Sequence, residues 1–306
     1  MSRAFEAEAR HKAQEELRKA NELLEQKVEE RTRELQASLT QVQALKDKQD
    51  ADYYLTSLLL NPLATVQVNS PKVRVESLLV QKKQFVFKNR VYQLGGDFNI
   101  AETVTIGDAT HLFLFNGDAM GKSIQGAGGA LILGAILKVL LARPVTKANA
   151  TPAAFLAGIY RRLNEVFLSL DGRMMISLTM AVISPDRSAY LISAEHPDPV
   201  LLAKGKARLV NVAQLPKLGS TRDDMPSDKI AVTRLMLAPG DLLILASDGR
   251  DDILLSGASG KVYNEDESLF CRLVERSDGS LRSIFASVES AGEVTDDFSA
   301  VSVLVE

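Results

Sequence analysis

The chain has 306 residues and a formal net charge of -3, with 46% hydrophobic and 25% charged residues. That composition supports a sizeable core beneath an ordinary polar surface, and the lack of a basic stripe argues against a nucleic-acid partner. A single cysteine, Cys271, excludes an intrachain disulfide and a cysteine-based zinc site, and the three histidines (His11, His111, His196) are too dispersed for a three-histidine metal centre. No signal-peptide pattern is present, and no apolar run is read as long enough to span a bilayer. The longest, Ala127 to Ala142, is glycine-rich, carries Lys138, and reads as a buried core helix. The expectation is a cytoplasmic chain, either free or the cytoplasmic part of a membrane receptor.

Residues 1–50 differ in composition from the rest of the chain. They are rich in Glu, Lys, Gln, Arg, Ala and Leu and lack glycine and proline. Leu17, Asn21, Leu24, Val28, Arg31, Leu35, Ser38, Val42 and Leu45 recur in steps of four and three, the spacing of a heptad seam. Six of these nine are apolar, so a parallel homodimeric coiled coil is expected. The segment LLEQKVEERTREL resembles the signalling helices that join sensor to output domains in bacterial receptors, which points to a sensor domain upstream. Residues 51–70 form a junction. Tyr53, Tyr54, Leu55, Leu58, Leu59 and Leu60 make it apolar, and Asn61-Pro62 stops the helix. Such a helix needs a surface to bury against, and Tyr54, Leu55, Leu58 and Leu59 are its candidate regulatory residues.

Residues 71–306 alternate between strand-like and helical patterns. VRVESLLV, QFVFKNRVYQL, AETVTI and HLFLF read as strands, and SIQGAGGALILGAILKVLLA as a long helix ended by Pro144. Thr151-Pro152 opens a second helix with an N-cap and a proline at its first position, running to about Leu170. MMISLTMAVI, AYLISA, PVLLA, ARLVNV, KIAVTRLML and DLLILA come next as strands. Two helices near 266–276 and 280–290 then precede the final strand, FSAVSVLVE. The pattern predicts an α+β domain, a sheet sandwich flanked by helices.

Four aspartates sit beside these apolar runs: Asp97 in QLGGD, Asp118 in HLFLFNGD, Asp248 in DLLILASD and Asp297 in EVTDDFSAVSVLV. A carboxylate at the end of a buried strand is costly unless a positive charge meets it, and hard divalent cations take oxygen ligands of this kind. Read singly, GD and DG are ordinary turns, Asp248 is a good helix N-cap, and Asp296 serves as well as Asp297.

The order GGD, strand-GD-x-x-GK-helix, SAEHP, PGD-strand-SDG and TDD-strand resembles the metal-dependent PPM-type (type 2C) serine/threonine phosphatases, in their SpoIIE/RsbU-like bacterial regulatory branch. The resemblance covers roughly residues 75–306. It implies an αββα sandwich of two packed antiparallel sheets flanked by helices, with two divalent cations, Mn²⁺ or Mg²⁺, at one end. It also implies that Asp118 bridges the ions, that the Ala119 carbonyl and Asp97 are ligands, and that Asp248 and Asp297 hold the other ion. Asp118 and Asp248 would be the catalytic pair. Gly121 and Lys122 match the GK that comes after the bridging aspartate. The sequence departs from the branch at Ala119-Met120-Gly121-Lys122-Ser123, at Ala194-Glu195-His196-Pro197-Asp198 and at Ser247-Asp248-Gly249-Arg250-Asp251-Asp252, positions that shape the substrate groove.

The implied activity is hydrolysis of a phosphoserine or phosphothreonine protein, such as a STAS-type anti-sigma antagonist, under control of the N-terminal coiled coil. The alternative is a pseudophosphatase that serves as a dimeric partner-binding module. His196 is a general-acid candidate by chemistry, but a turn residue by the resemblance.

Overall fold

The computed structural model describes residues 2–68, 70–121, 123–146, 150–220, 230–257 and 260–306; Lys122 and Lys229 lie outside these. It opens with one unbroken helix, α1 (Ser2–Leu60). Contacts divide the chain into two units, Met1–Asp52 and Tyr53–Glu306. In the first unit Leu17, Leu24, Val28, Leu35, Val42 and Leu45 are each 58–62% exposed, so the apolar seam is uncovered among the described residues of that unit.

The second unit holds two main sheets. The first orders β1 (Val66–Gln67), β5 (Asp97–Ile106), β6 (Ala109–Ala119), β7 (Ile176–Ile183), β8 (Ser188–Ala194) and β11 (Gln214–Leu215), with β12 (Thr233–Met236) also on β8. The second orders β10 (Lys206–Leu209), β9 (Val200–Ala203), β13 (Leu242–Ala246), β17 (Phe298–Val305) and β2 (Val73–Val80). Helices α2 (Ile124–Leu141) and α3 (Pro152–Leu168) pack on the outer face of the first sheet. Helices α4 (Leu269–Arg276) and α5 (Leu281–Ala291) cover the second. This is the expected αββα sandwich. Thr151 caps α3 by accepting from the Ala154 N–H at 3.2 Å, with Pro152 as the first helical residue.

Two smaller pieces complete it. The hairpin β3 (Lys83–Phe87) and β4 (Arg90–Leu94) turns through Lys88 and Asn89, both at positive φ, as a two-residue turn between twisted strands requires. Tyr54 of α1 stacks on Phe87 at 4.4 Å and meets Tyr92 edge-on at 4.9 Å, while Tyr53 meets Phe85 at 5.6 Å. The other piece is a three-stranded sheet, β15 (Gly260–Tyr263), β14 (Ile253–Gly257) and β16 (Gly292–Val294), which the apolar pattern did not announce.

One expectation is corrected. Helix α2 is long and apolar enough to cross a bilayer by length and composition. Its Ala127, Ala130, Leu133, Leu137 and Leu141 are nonetheless buried in the core against the first sheet, the core-helix role read from its small residues.

Period-two alternation explains how the sandwich acquires a polar end. On β6, Phe113 and Phe115 point toward the helices, whereas Leu112 and Leu114 point between the sheets. The inter-sheet face continues through Asn116 to Asp118. On β5 the same face carries Ala101, then Asn99, then Asp97; on β17 it carries Val303, Val301 and Ser299, and it runs through Leu243 and Leu245 of β13 to Ser247 beyond its end. The space between the sheets is thus apolar at one end and polar at the other.

The polar end is satisfied by a chain of neutral donors and acceptors. Asn99 Nδ2 donates to the Leu78 and Ala300 carbonyls at 3.0 and 3.1 Å, which leaves its Oδ1 to accept from Asn116 Nδ2 at 2.7 Å. Asn116 Nδ2 also donates to Ser299 Oγ at 2.7 Å, so Asn116 Oδ1 must accept, and it does so from His196 Nε2 at 2.7 Å. Burial, with Arg250 and Lys217 nearby, pushes the His196 pKa down to about 3 and keeps the ring neutral. With Nε2 donating, Nδ1 of the neutral ring carries no proton and accepts from Ser177 Oγ at 3.1 Å.

Glycine substitutions probe the helix packing. A Cβ on Gly134 would lie 2.6 Å from Phe98 Cζ, whereas one on Gly158, within α3, would meet nothing within 4 Å. Urea denaturation is expected to show Gly134→Leu destabilised by about 1–3 kcal/mol and Gly158→Ala stabilised by about 0.5–1 kcal/mol. The polar seam is probed by pH. The unfolded chain takes up a proton on His196 near its ordinary pKa of 6.5, while the folded chain does so only near 3. The stability this residue confers is therefore complete above pH 6.5 and falls toward pH 3 by about 1.4 kcal/mol per pH unit. His196→Gln should remove that slope from the wild-type-minus-variant difference.

Candidate metal centre

The pairing of β5 with β6 sets Asp97 directly opposite Asp118, and Asn99 opposite Asn116. Asp248 enters from the second sheet, where β13 ends and a turn of 3-10 helix, Asp248–Arg250, begins. Asp296 and Asp297 arrive just before β17. Four separate strand ends thus bring carboxylates to the polar end of the sandwich.

The cost of gathering them appears in their proton affinities. Burial, then the charge of Asp118, holds Asp97 well above the usual carboxylate range. Asp118 is pushed up to about 7 by burial, then by Asp248, Asp296 and Asp297, and Asp248 to about 6 by burial, then by Asp252 and Asp296. Burial and then Asp296 raise Asp252 as well. Lys217 opposes the rise at both Asp118 and Asp248. It stands there because Leu218 bridges to Ile176, itself the partner of Ala119.

These groups fit a divalent cation. Asp97 is 1% exposed; its Oδ2 accepts from Ser247 Oγ at 2.7 Å, while its Oδ1 is buried with no hydrogen-bond partner. A buried carboxylate oxygen left bare is expensive, and a cation is the group that meets it. Gly96 has no side chain to block the approach: a Cβ there would sit 2.3 Å from the Ala119 carbonyl oxygen and 3.1 Å from Asp118 Oδ1. The donor set is all oxygen, as Mg²⁺ and Mn²⁺ prefer. Among the described residues no three His, Cys, Asp or Glu side chains already stand at ligand spacing. Like charges at this density repel until a cation draws them in.

Of the residues expected from sequence, Asp97, Asp118, Ala119 and Asp248 come together here. Asp297 lies beside them, but its oxygens are engaged: Oδ1 accepts from the Lys82 N–H at 2.5 Å and Oδ2 from the Gly96 N–H at 3.2 Å. Asp296, named from sequence only as the alternative, acts by its charge on Asp118, Asp248 and Asp252, while Asp297 acts on Asp97 and Asp118. His196 is 4% exposed with both ring nitrogens bonded, which removes it from general-acid chemistry. Of the junction residues, Tyr54 packs on the hairpin, whereas Leu55, Leu58 and Leu59 are 46–58% exposed; the helix buries Tyr53 and Leu60 instead. Sequence reading missed Ser247, Gln81 and Lys217, whose only signal was adjacency to the motifs.

A family model described as stage II sporulation protein E (SpoIIE) matches residues 108–306, more than half of the chain. No curated protein matches. Among solved structures, the SiaA PP2C domain of Pseudomonas aeruginosa aligns at TM-score 0.60 and 15% identity, over 86% of this chain and 98% of that one. The RsbU and RsbW domains from Mycobacterium tuberculosis align at TM-score 0.55 and 18% identity over 77% of this chain, which spans 60% of theirs. The catalytic domain of the serine/threonine phosphatase PstP, solved with 2 manganese ions, aligns at TM-score 0.52 and 15% identity, over 76% of this chain and 98% of that one. At these identities the likeness establishes the fold, and it is the PP2C phosphatase fold that the paired Asp97 and Asp118 strands build here. On the match across residues 108–306, the chain belongs to the SpoIIE family.

Proposed function

We propose that the chain is a metal-dependent protein serine/threonine phosphatase whose site holds two divalent cations, Mn²⁺ or Mg²⁺. The observation that carries this reading is the bare, buried Oδ1 of Asp97 opposite Asp118, with Asp248 and Asp296 within electrostatic reach of Asp118. When bound, the ions supply charge that neutralises the phosphoryl group and lowers the pKa of water enough to make it a nucleophile at neutral pH.

The side chains have distinct tasks in this reading. Asp118, Asp97 and the Ala119 carbonyl would hold the cations from the first sheet, and Asp248 with Asp296 would hold them from the second. Lys217, 29% exposed at its side chain and only loosely paired with Glu195 at 3.9 Å, is placed to meet phosphoryl oxygens. No protein nucleophile is needed: Cys271 is buried in the α4 core and His196 is locked in the polar seam. The substrate is a phosphoserine or phosphothreonine protein, and membership of the SpoIIE family supports a STAS-type anti-sigma antagonist. The exposed seam of α1 supports a homodimer through a coiled coil, and the packing of Tyr53 and Tyr54 on the β3–β4 hairpin supports control through that helix.

Two experiments test this. Mn²⁺-dependent hydrolysis of p-nitrophenyl phosphate and of a phosphoserine protein should fall at least about 100-fold in Asp118→Asn, with the far-ultraviolet circular dichroism unchanged. Absence of metal-dependent turnover in the wild type would favour the pseudophosphatase alternative. Leu24→Glu with Leu35→Glu alters side chains exposed in the single chain, so folding should be unaffected. Sedimentation velocity should then change from dimer to monomer, and persistence of the dimer would exclude the coiled coil as its basis.

A further inference from the structure

The β3–β4 hairpin is paired from Phe87 and Arg90 at its turn down to Lys83 and Leu94 at its base. The next pair would be Lys82 with Gly95, and there the ladder stops. A side chain takes its place. The Asp297 carboxylate accepts from the Lys82 N–H through Oδ1 at 2.5 Å and from the Gly96 N–H through Oδ2 at 3.2 Å. One carboxylate thus holds both feet of the hairpin.

The surroundings are built to this carboxylate. A Cβ on Gly95 would lie 2.1 Å from Asp297 Oδ2 and 1.8 Å from Gln81 Oε1, so any larger residue there would have to displace one or both side chains. Gln81 is 6% exposed, and its Nε2 donates to the Asp97 carbonyl at 2.9 Å. Beyond the clamp, the Gly96 carbonyl accepts from the Ala119 N–H at 3.1 Å. The path from Asp297 to the Ala119 carbonyl therefore runs through one residue, Gly96.

We propose that Asp297 is a positioning residue that closes the base of the β3–β4 hairpin and sets Gly96 against Ala119, leaving cation binding to its neighbour Asp296. This rests on the metal site proposed above. Asp297 acts by holding backbone donors, in the way that groups behind metal ligands orient them. The same hairpin carries Phe85, Phe87 and Tyr92 against Tyr53 and Tyr54, so its base is where a displacement of the α1 end would reach Gly96.

Amide hydrogen exchange and metal titration of the whole chain test the assignment. In the wild type, the Lys82 and Gly96 amides should be protected without metal and remain so on adding Mg²⁺. Loss of that protection on Mg²⁺ binding would mean that Asp297 swings to the cation, and would overturn the proposal. In Asp297→Asn, calorimetric titration with Mn²⁺ should retain the wild-type stoichiometry with affinity weakened about 10-fold, while Lys82 and Gly96 exchange faster. Asp296→Asn should instead lose one ion from the stoichiometry and leave both amides protected. The reverse assignment of those two outcomes would overturn the proposal. Should Asp297→Asn fail to fold, the wild-type exchange comparison still decides. Should the wild type bind no metal, the metal-site reading fails, while metal-free protection of the two amides still reports on the clamp.

Discussion

Two like charges face each other across a buried pair of strands, and much of the architecture answers to that fact. Asp97 and Asp118 are register partners at the end of β5 and β6, where the interior excludes most of the water that would screen them. Among the described residues neither is paired with an arginine. Asp97 Oδ2 accepts from the Ser247 hydroxyl, and its Oδ1 has no hydrogen-bond partner. An arrangement that unfavourable persists only where the rest of the fold over-determines it. Here the determination comes from ten register pairs between β5 and β6 and from a core that packs Phe98, Ile100, Phe113 and Phe115 on one face and Ala101 and Leu114 on the other.

Strand ends and the polar residues on them were legible in the sequence because alternation is local. HLFLFNGD and DLLILASD declare both a buried strand and the charge that terminates it. The choice between Asp296 and Asp297 was not legible, since consecutive residues project differently and the answer depends on Lys82 and Gly96, some 200 residues away. The junction was legible only in part, for a related reason. Its apolar residues foretold burial but not the side: Tyr53 and Tyr54 found the aromatic hairpin, whereas Leu55, Leu58 and Leu59 point outward. The β14–β15–β16 sheet was missed because ILLSG is too short, and too close to an acidic turn, to stand out. Ser247 and Gln81 carry no pattern at all; their importance lies in what they touch.

The hydrogen-bonded chain from Asn99 to His196 shows how a polar interior can be specific without being charged. Each amide orientation is dictated by the one before it, beginning from two backbone carbonyls and ending at one imidazole nitrogen. Neutral groups of this kind cost less to bury than ions, and a fully connected set specifies one arrangement of the two sheets. The carboxylates are therefore mounted on a polar layer whose amides and imidazole are paired among themselves, with the Ser247 hydroxyl left to meet Asp97.

The division of the inter-sheet space has a consequence for how the molecule breathes. At one end Leu112, Ile183, Val303 and Val305 pack together as apolar side chains, beside an open cavity that Leu112, Ile183 and Val305 share with His111, Asp186 and Arg187. At the other end, the same two sheets are joined by hydroxyl and amide bridges beneath a crowd of carboxylates. Local opening in folded proteins begins where apolar burial is least. The carboxylates therefore stand where the two sheets are joined by polar bridges, so their protonation and any cation they hold bear on that edge of the sandwich before they bear on its apolar face.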